Sequence, residues 1–422
     1  MHEACFELED IYGFRPSFTV ANDARSFRTI AGAMDASPRL TIDHCALNVF
    51  FRTGLFLNGS TPFVEVRRVE REPVIVAPHP IEYRAALHTF VDLFRESVQR
   101  RLDGDCVVAL SGGRDSRHIL LQLYECGRLP TAAITVDIPA RKGETLIARQ
   151  LAARLGIRHV ILYPRPNRVV EDESYKNLAT NFLTLEHGWM ADAARSELKG
   201  DWWDGIAGDI MSAGLFLTPV MQQLAEQHRL DELAEQVVLY SLPHFLWQST
   251  FSRDDALHLV ARELHKHMGA ANPIGSFYFW NRTRVAVAAC PFGLLENSNR
   301  QIVAPFLDSN LWHFLASLPA DMLVSRRFHS DAIDLAFPGF SDIPYFASSG
   351  YRPSMVTHSL HALASARAVT VRSRLWKFPF LARLGYSIVD IAHPAQLPHL
   401  LATAIYYDQL QSIIESKTRT CA

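Results

Sequence analysis

A doubly wound α/β fold, with a parallel sheet between a small β-rich N-terminal unit and a helical C-terminal cap, is the architecture this 422-residue sequence predicts. Between residues 106 and 163, short unbroken apolar runs alternate with stretches of helical periodicity, the pattern of strand–helix–strand units feeding a parallel sheet. Past residue 220 the periodicity is mainly helical, punctuated by Pro273, Pro291, Pro305, Pro319 and Pro338. Before residue 85 the apolar runs are short, as in Phe63-Val64-Glu65-Val66 and Val74-Ile75-Val76-Ala77, until Pro78-His79-Pro80 halts any regular element. The length suits two or three units. The boundary is expected between residues 1–85 and 86–422.

The elements of the central part follow in order. Residues 81–102 space Leu87, Phe90, Val91, Phe94 and Val98 as one helix face. Cys106-Val107-Val108-Ala109-Leu110 is continuous and apolar, as a strand covered on both faces must be. Residues 116–126 read as a helix stopped by Gly127, and residues 132–136 as a second strand. Ile147, Leu151 and Leu155 mark a helix over 143–155 that Gly156 ends, and residues 159–163 give a third strand. The helical cap is expected over the sheet's carboxyl end, where open α/β sheets bind ligands.

Composition excludes several classes. Hydrophobic residues at 48% and charged residues at 20% describe a globular chain. A net charge of −2 lacks the basic stripe of a nucleic-acid binder. The apolar stretch around 206–221 is broken by Asp209, so no membrane span is expected. The first residues show neither a basic region nor an apolar run, so no secretory signal is expected. Cys5, Cys45, Cys106, Cys126, Cys290 and Cys421 form no C-x-x-C pair, which points to a reducing cytoplasm and to neither a disulfide framework nor a zinc site.

The strand ending at Leu110 runs into Ser111-Gly112-Gly113-Arg114-Asp115-Ser116, and a helix begins there. The glycines allow close backbone approach, and N–H groups at a helix N-terminus attract an anion. Ser111 and Ser116 can add hydroxyl donors. Asp115 would repel phosphate unless a cation lies between them, which implies Mg²⁺. The loop holds no lysine and lacks the Walker spacing. Arg114 and Arg117 flank the aspartate, either to grip a phosphate or to face solvent.

This loop resembles the S-G-G-x-D-S pyrophosphate loop of ATP pyrophosphatases of the asparagine-synthetase type. Asp204-Gly205-Ile206-Ala207-Gly208-Asp209 resembles that family's second loop, and the stretch from Ala304-Pro305-Phe306-Leu307-Asp308 to Leu318-Pro319 resembles part of its helical domain. The resemblance implies a cofactor pair of ATP and Mg²⁺, with Leu110 to Ser116, Val136, Gly205 and Gly208 around the nucleotide and Asp115 and Asp209 as metal ligands and catalytic residues. Asp308 reads as a helix cap. Thr135-Val136-Asp137 falls where the family edges the adenine pocket. The segments around Phe18–Asp23 and Phe63–Arg68 resemble the later part of a glutaminase domain. That domain begins with a nucleophilic N-terminal cysteine, whereas His2 stands second here and Cys5 lacks the terminal amine. A remnant without glutaminase activity is therefore expected.

Two departures bear on the chemistry. Ile206 stands where amide-forming members carry Glu or Tyr, and the stretch Ile343-Pro344 to Gly350-Tyr351-Arg352-Pro353 lacks the family's lysine. Arg352 is the nearest cation for an oxyanion, with Lys377 a later candidate. Glu186 and His187 are candidates for a general base, or else ordinary surface groups. The resemblance implies an ATP-dependent ligase that adenylates a small-molecule or peptide carboxylate, releases AMP and pyrophosphate, and joins an amine as an amide or lactam. No nucleic-acid or membrane partner is expected; self-association or a biosynthetic partner protein stays open. The alternatives are a non-catalytic nucleotide-binding homologue and another pyrophosphate-loop chemistry, sulfur transfer or tRNA modification.

Overall fold

The computed structural model describes residues 12–138, 142–240, 253–296, 300–346 and 397–421. Five short strands form the central sheet: β4 (Cys106–Ala109), β5 (Ala132–Val136), β6 (His159–Leu162), β7 (Asp201–Trp203) and β8 (Ile302–Val303). Their order is β6-β5-β4-β7-β8, and every neighbouring pair is parallel. Val107 and Val108 of β4 lie almost wholly buried, as parallel strands covered on both faces do.

This strand order fixes where a ligand can go. From β4 the chain moves outward to β5 and β6, then returns to place β7 on the other side of β4. The direction of winding therefore reverses beside β4, and the loops leaving β4 and β7 part there to open a crevice at the strands' carboxyl ends. Residues 111–116 and 204–209 are those two loops.

The predicted elements form with small shifts. The first helix is Tyr83–Gln99, capped by Glu82, whose carboxylate accepts from the Ala85 amide at 2.9 Å. Its buried stripe includes Leu87, Phe90, Val91, Phe94 and Val98. The next helices are Asp115–Glu125 and Lys142–Arg154, followed by Gly127 and Gly156 at φ of 69° and 67°, the left-handed geometry that ends a helix. Asp308 caps the Ser309–Ala316 helix and pairs with Arg100 at 2.8 Å and Arg101 at 3.2 Å.

The N-terminal unit carries a three-stranded antiparallel sheet: β1 (Phe18–Val20), β2 (Asp23–Phe27) and β3 (Val66–Arg68), in the order β2-β1-β3. The Val74–Ala77 run joins no strand. Val74 and Ile75 are exposed, and the Val76 carbonyl accepts from Ala271 in the helical part. Helices Ile30–Ala36 and His44–Thr53 pack on this sheet, and the Leu397–Cys421 helix closes the same core, with Phe50 5.4 Å from Tyr406. Among the described residues no helix is long and apolar enough to cross a membrane.

Candidate active site

The loop after β4 is braced from within. The Ser111 amide donates to Ser116 Oγ at 3.0 Å, the Gly113 amide donates to Ser111 Oγ at 3.1 Å, and the two hydroxyl oxygens lie 3.1 Å apart. Sequence reasoning gave both hydroxyls to a ligand. In the structure both oxygens accept loop amides and one hydroxyl hydrogen lies between them, which leaves one hydroxyl to donate outward. Gly112 has a packing reason: a Cβ there would stand 2.9 Å from Glu144 Cα and 3.2 Å from Phe346 Cβ, and its carbonyl accepts the Phe346 amide at 2.9 Å.

The second loop meets the first at Asp115. A Cβ on Gly205 would fall 2.6 Å from Asp115 Cβ, and one on Gly208 would fall 2.6 Å from Asp115 Cγ. Ala207 between them turns through a left-handed φ of 74°. These two glycines therefore let the aspartate seat against the loop. Their substitution is a direct probe: Gly205→Ala should destabilise the chain by about 1–3 kcal/mol through overpacking and displace Asp115, measured as a lower melting temperature together with weaker magnesium-dependent nucleotide binding. An unchanged melt and unchanged binding would contradict this packing.

Asp115 and Asp209 line the same cleft, of about 250 Å³, with Leu110, Ser111, Gly113, Ser116, Val136 and Gly205. Burial pushes the Asp115 carboxyl up to about 7, against the Arg114 charge that pulls it down and the Asp209 backbone amide, which lowers it slightly. Asp209 is pushed up to about 7 by burial and then by Asp115, and Asp204 to about 6 mainly by burial. Asp115 and Asp209, both pushed up in one cleft, are a pair of donors that a hard divalent cation would satisfy. Among the described residues no three His, Cys, Asp or Glu side chains form a complete metal cage. Phosphate oxygens and water would have to complete the shell, which is how Mg²⁺ is commonly held.

Other candidates fall differently. Arg117 neither grips a phosphate nor faces solvent. It is 1% exposed and donates to the Ile343 and Pro344 carbonyls at 2.7 and 2.6 Å, with its guanidinium 4.1 Å over Tyr345. Arg114 also sits over Tyr345, at 5.4 Å, and is not among the cleft-lining residues. Ile206 lines the cleft but is 4% exposed and has no proton to exchange. His187 lines the cleft as well. Arg352, Lys377 and Cys5 lie outside the described residues.

Glu186 is the clearest revision among the candidate bases. Arg282 donates to both of its carboxylate oxygens, Nε at 3.0 Å and a terminal nitrogen at 2.6 Å, so the carboxylate is held in a bidentate ion pair. The two side chains are 15% and 12% exposed. Breaking so buried a pair leaves an uncompensated charge, and Glu186→Gln should cost about 3–5 kcal/mol. Glu186→Gln with Arg282→Met should recover much of the loss in a chemical denaturation series. If the single variant melts like the parent, the pair is not the role of Glu186.

Nothing in the sequence pattern marked Arg282, and His118 and His329 also escaped notice. His118 lies one turn beyond Asp115 on the same helix, where helical spacing could have flagged it. His329 arrives from a helix more than two hundred residues away, a meeting that only the fold creates.

The fold and cleft define an α/β protein with a glycine-containing strand–loop–helix at the switch point of a parallel sheet. Residues 89–181 match the family model described as asparagine synthase, so the segment carrying the first loop is asparagine-synthetase-like. That match supports an ATP-using, amide-forming ligase family. It spans the first loop and ends before the second, at residues 204–209. No curated protein matches the chain.

Proposed function

We propose that the chain is an ATP-dependent ligase that activates a carboxylate as its acyl-adenylate, releases pyrophosphate, and forms an amide or lactam without glutaminase activity of its own. The observation that carries this reading is the meeting of Asp115 and Asp209 across two glycines at the carboxyl ends of the strands. In this reading the loop after β4 binds the pyrophosphate portion of ATP, with the remaining serine hydroxyl as a donor and the Asp115–Glu125 helix presenting its positive end. Asp115 and Asp209 would hold Mg²⁺. When bound, that ion neutralises charge on the phosphates. Leu110 and Val136 wall the cleft beside the strand ends, a position suited to the nucleoside.

The protein's own contribution is orientation and electrostatic stabilisation of the departing pyrophosphate. The acyl substrate is a small-molecule or peptide carboxylate. The amine is ammonia, a second substrate, or a group on the same molecule.

Sulfur transfer has little support, because the cysteines among the cleft's neighbours are not placed for it. Cys106 opens β4 and burial pushes its thiol up to about 11, and no cysteine lines the cleft among the described residues. A non-catalytic nucleotide binder is favoured by two observations, the buried Ile206 and the paired Glu186.

The deciding experiment is exchange of labelled pyrophosphate into ATP with magnesium and a panel of carboxylates, followed by mass spectrometry of products formed with added amines. Carboxylate-dependent exchange supports the ligase. Metal-dependent nucleotide binding without exchange across the panel would favour the binder, and a thiolated product would sink both.

A further inference from the structure

Asp115 has an interior side as well as a cleft side. Its Oδ1 is buried and has no hydrogen-bond donor, although a buried carboxylate oxygen ordinarily takes one. The Nδ1 of His329 lies 3.2 Å from that oxygen. His329 is fully buried and absent from the cleft lining, so it reaches Asp115 from inside the protein.

The hydrogens can be placed by elimination. Ser212 owns one hydroxyl hydrogen and donates it to the Gly208 carbonyl at 2.6 Å. Its oxygen also lies 2.8 Å from His329 Nδ1, so it must accept there and Nδ1 must carry a hydrogen. His329 Nε2 lies 3.1 Å from His118 Nδ1. One N–H of a fully buried ring therefore stands between Ser212, in the helix that opens with the second loop's Gly208 and Asp209, and Asp115, in the first loop.

We propose that His329 is a positioning residue, whose single Nδ1–H, shared between Ser212 and Asp115 Oδ1, keeps the two loops in register for a divalent cation. The proposal rests on the magnesium–nucleotide reading above. In the structure Nδ1 faces both oxygens, Ser212 Oγ at 2.8 Å and Asp115 Oδ1 at 3.2 Å.

The probes are Mn²⁺ with the α,β-methylene analogue of ATP, titrated on the full chain, and nitrogen-15 spectra of the histidine rings in the metal-free protein. His329→Phe should keep a cooperative melt and weaken Mn²⁺ about 10–100-fold, the usual effect of removing a partner that orients a metal ligand. His329→Asn, which keeps a donor near the Nδ1 position, should restore most of that affinity. Ser212→Ala should weaken it as well, because the ring then loses its tie to the second loop. Parental affinity in a folded His329→Phe, equal losses in the Phe and Asn variants, or parental affinity in Ser212→Ala would each overturn the proposal. If the parent binds no Mn²⁺ with the analogue, the nucleotide reading fails, and the ring spectra still decide this one. An Nε2–H form of His329 overturns it, and an Nδ1–H signal that moves on Asp115→Asn supports it.

Discussion

Asp209→Ala and Asp115→Ala should each reduce pyrophosphate release by about a thousand-fold or more, a loss of about 4 kcal/mol of transition-state stabilisation. Both carboxylates line one cleft, and Asp115 is seated there because Gly205 and Gly208 carry no side chain. A cation that enters beside a polyphosphate here would find carboxylate ligands in the cleft lining, with Asp115 and Asp209 on the two loops that meet there. Without either ligand the phosphates keep their repulsion and lose their orientation, and both losses fall on the step that breaks the bond. Folding should survive: each carboxyl is pushed up to about 7 chiefly by burial, so the metal-free protein holds these groups at a cost. A variant that melts like the parent and releases pyrophosphate at the parental rate would remove the metal assignment.

Much of this site could be read before any coordinates. The strand Cys106–Ala109 was visible because a strand buried on both faces must be apolar throughout, and the end of the helix after it because Gly127 stands as a stop. The pairing of residues 111–116 with residues 204–209 was visible only through resemblance. Its physical reason, two glycines yielding space to Asp115, is a contact between segments about ninety residues apart. Charge partners were the least visible. Glu186 looks in sequence like any carboxylate before a histidine, and nothing nearby announces that Arg282 claims both its oxygens. Arg117 misled for the same reason, since an arginine beside a phosphate loop suggests a ligand until Ile343 and Pro344 are seen to take its donors. Periodicity and loop chemistry are local, whereas pairing inside a core depends on which distant helix closes over it.

The second large effect concerns pH in the absence of metal. The Asp115 carboxyl is pushed up to about 7 in the folded chain, against about 3.9 for an unfolded aspartate. Below pH 4 both states hold the proton and the group is neutral to stability. Between pH 4 and 7 the unfolded chain gives the proton up while the folded one retains it, so the folded state binds more protons and stability falls as pH rises. Above pH 7 the loss is complete. Buried His329, pushed down to about 3, acts in the opposite sense, because its folded form refuses a proton that the unfolded form accepts below about pH 6.5. The two slopes overlap, so the parent's own curve is not the measurement. The difference between parent and Asp115→Asn is, since the histidine is common to both. Asp115→Asn should match the parent near pH 4 and exceed it by on the order of 2–4 kcal/mol at pH 8, the side chain being 23% exposed. Saturating Mg²⁺ with a nucleotide should reverse the order, since only the parent gains from binding. A difference curve that stays flat from pH 4 to 8 would mean that Asp115 is ionised without strain in the folded chain, and the electrostatic case for a cation beside it would be lost.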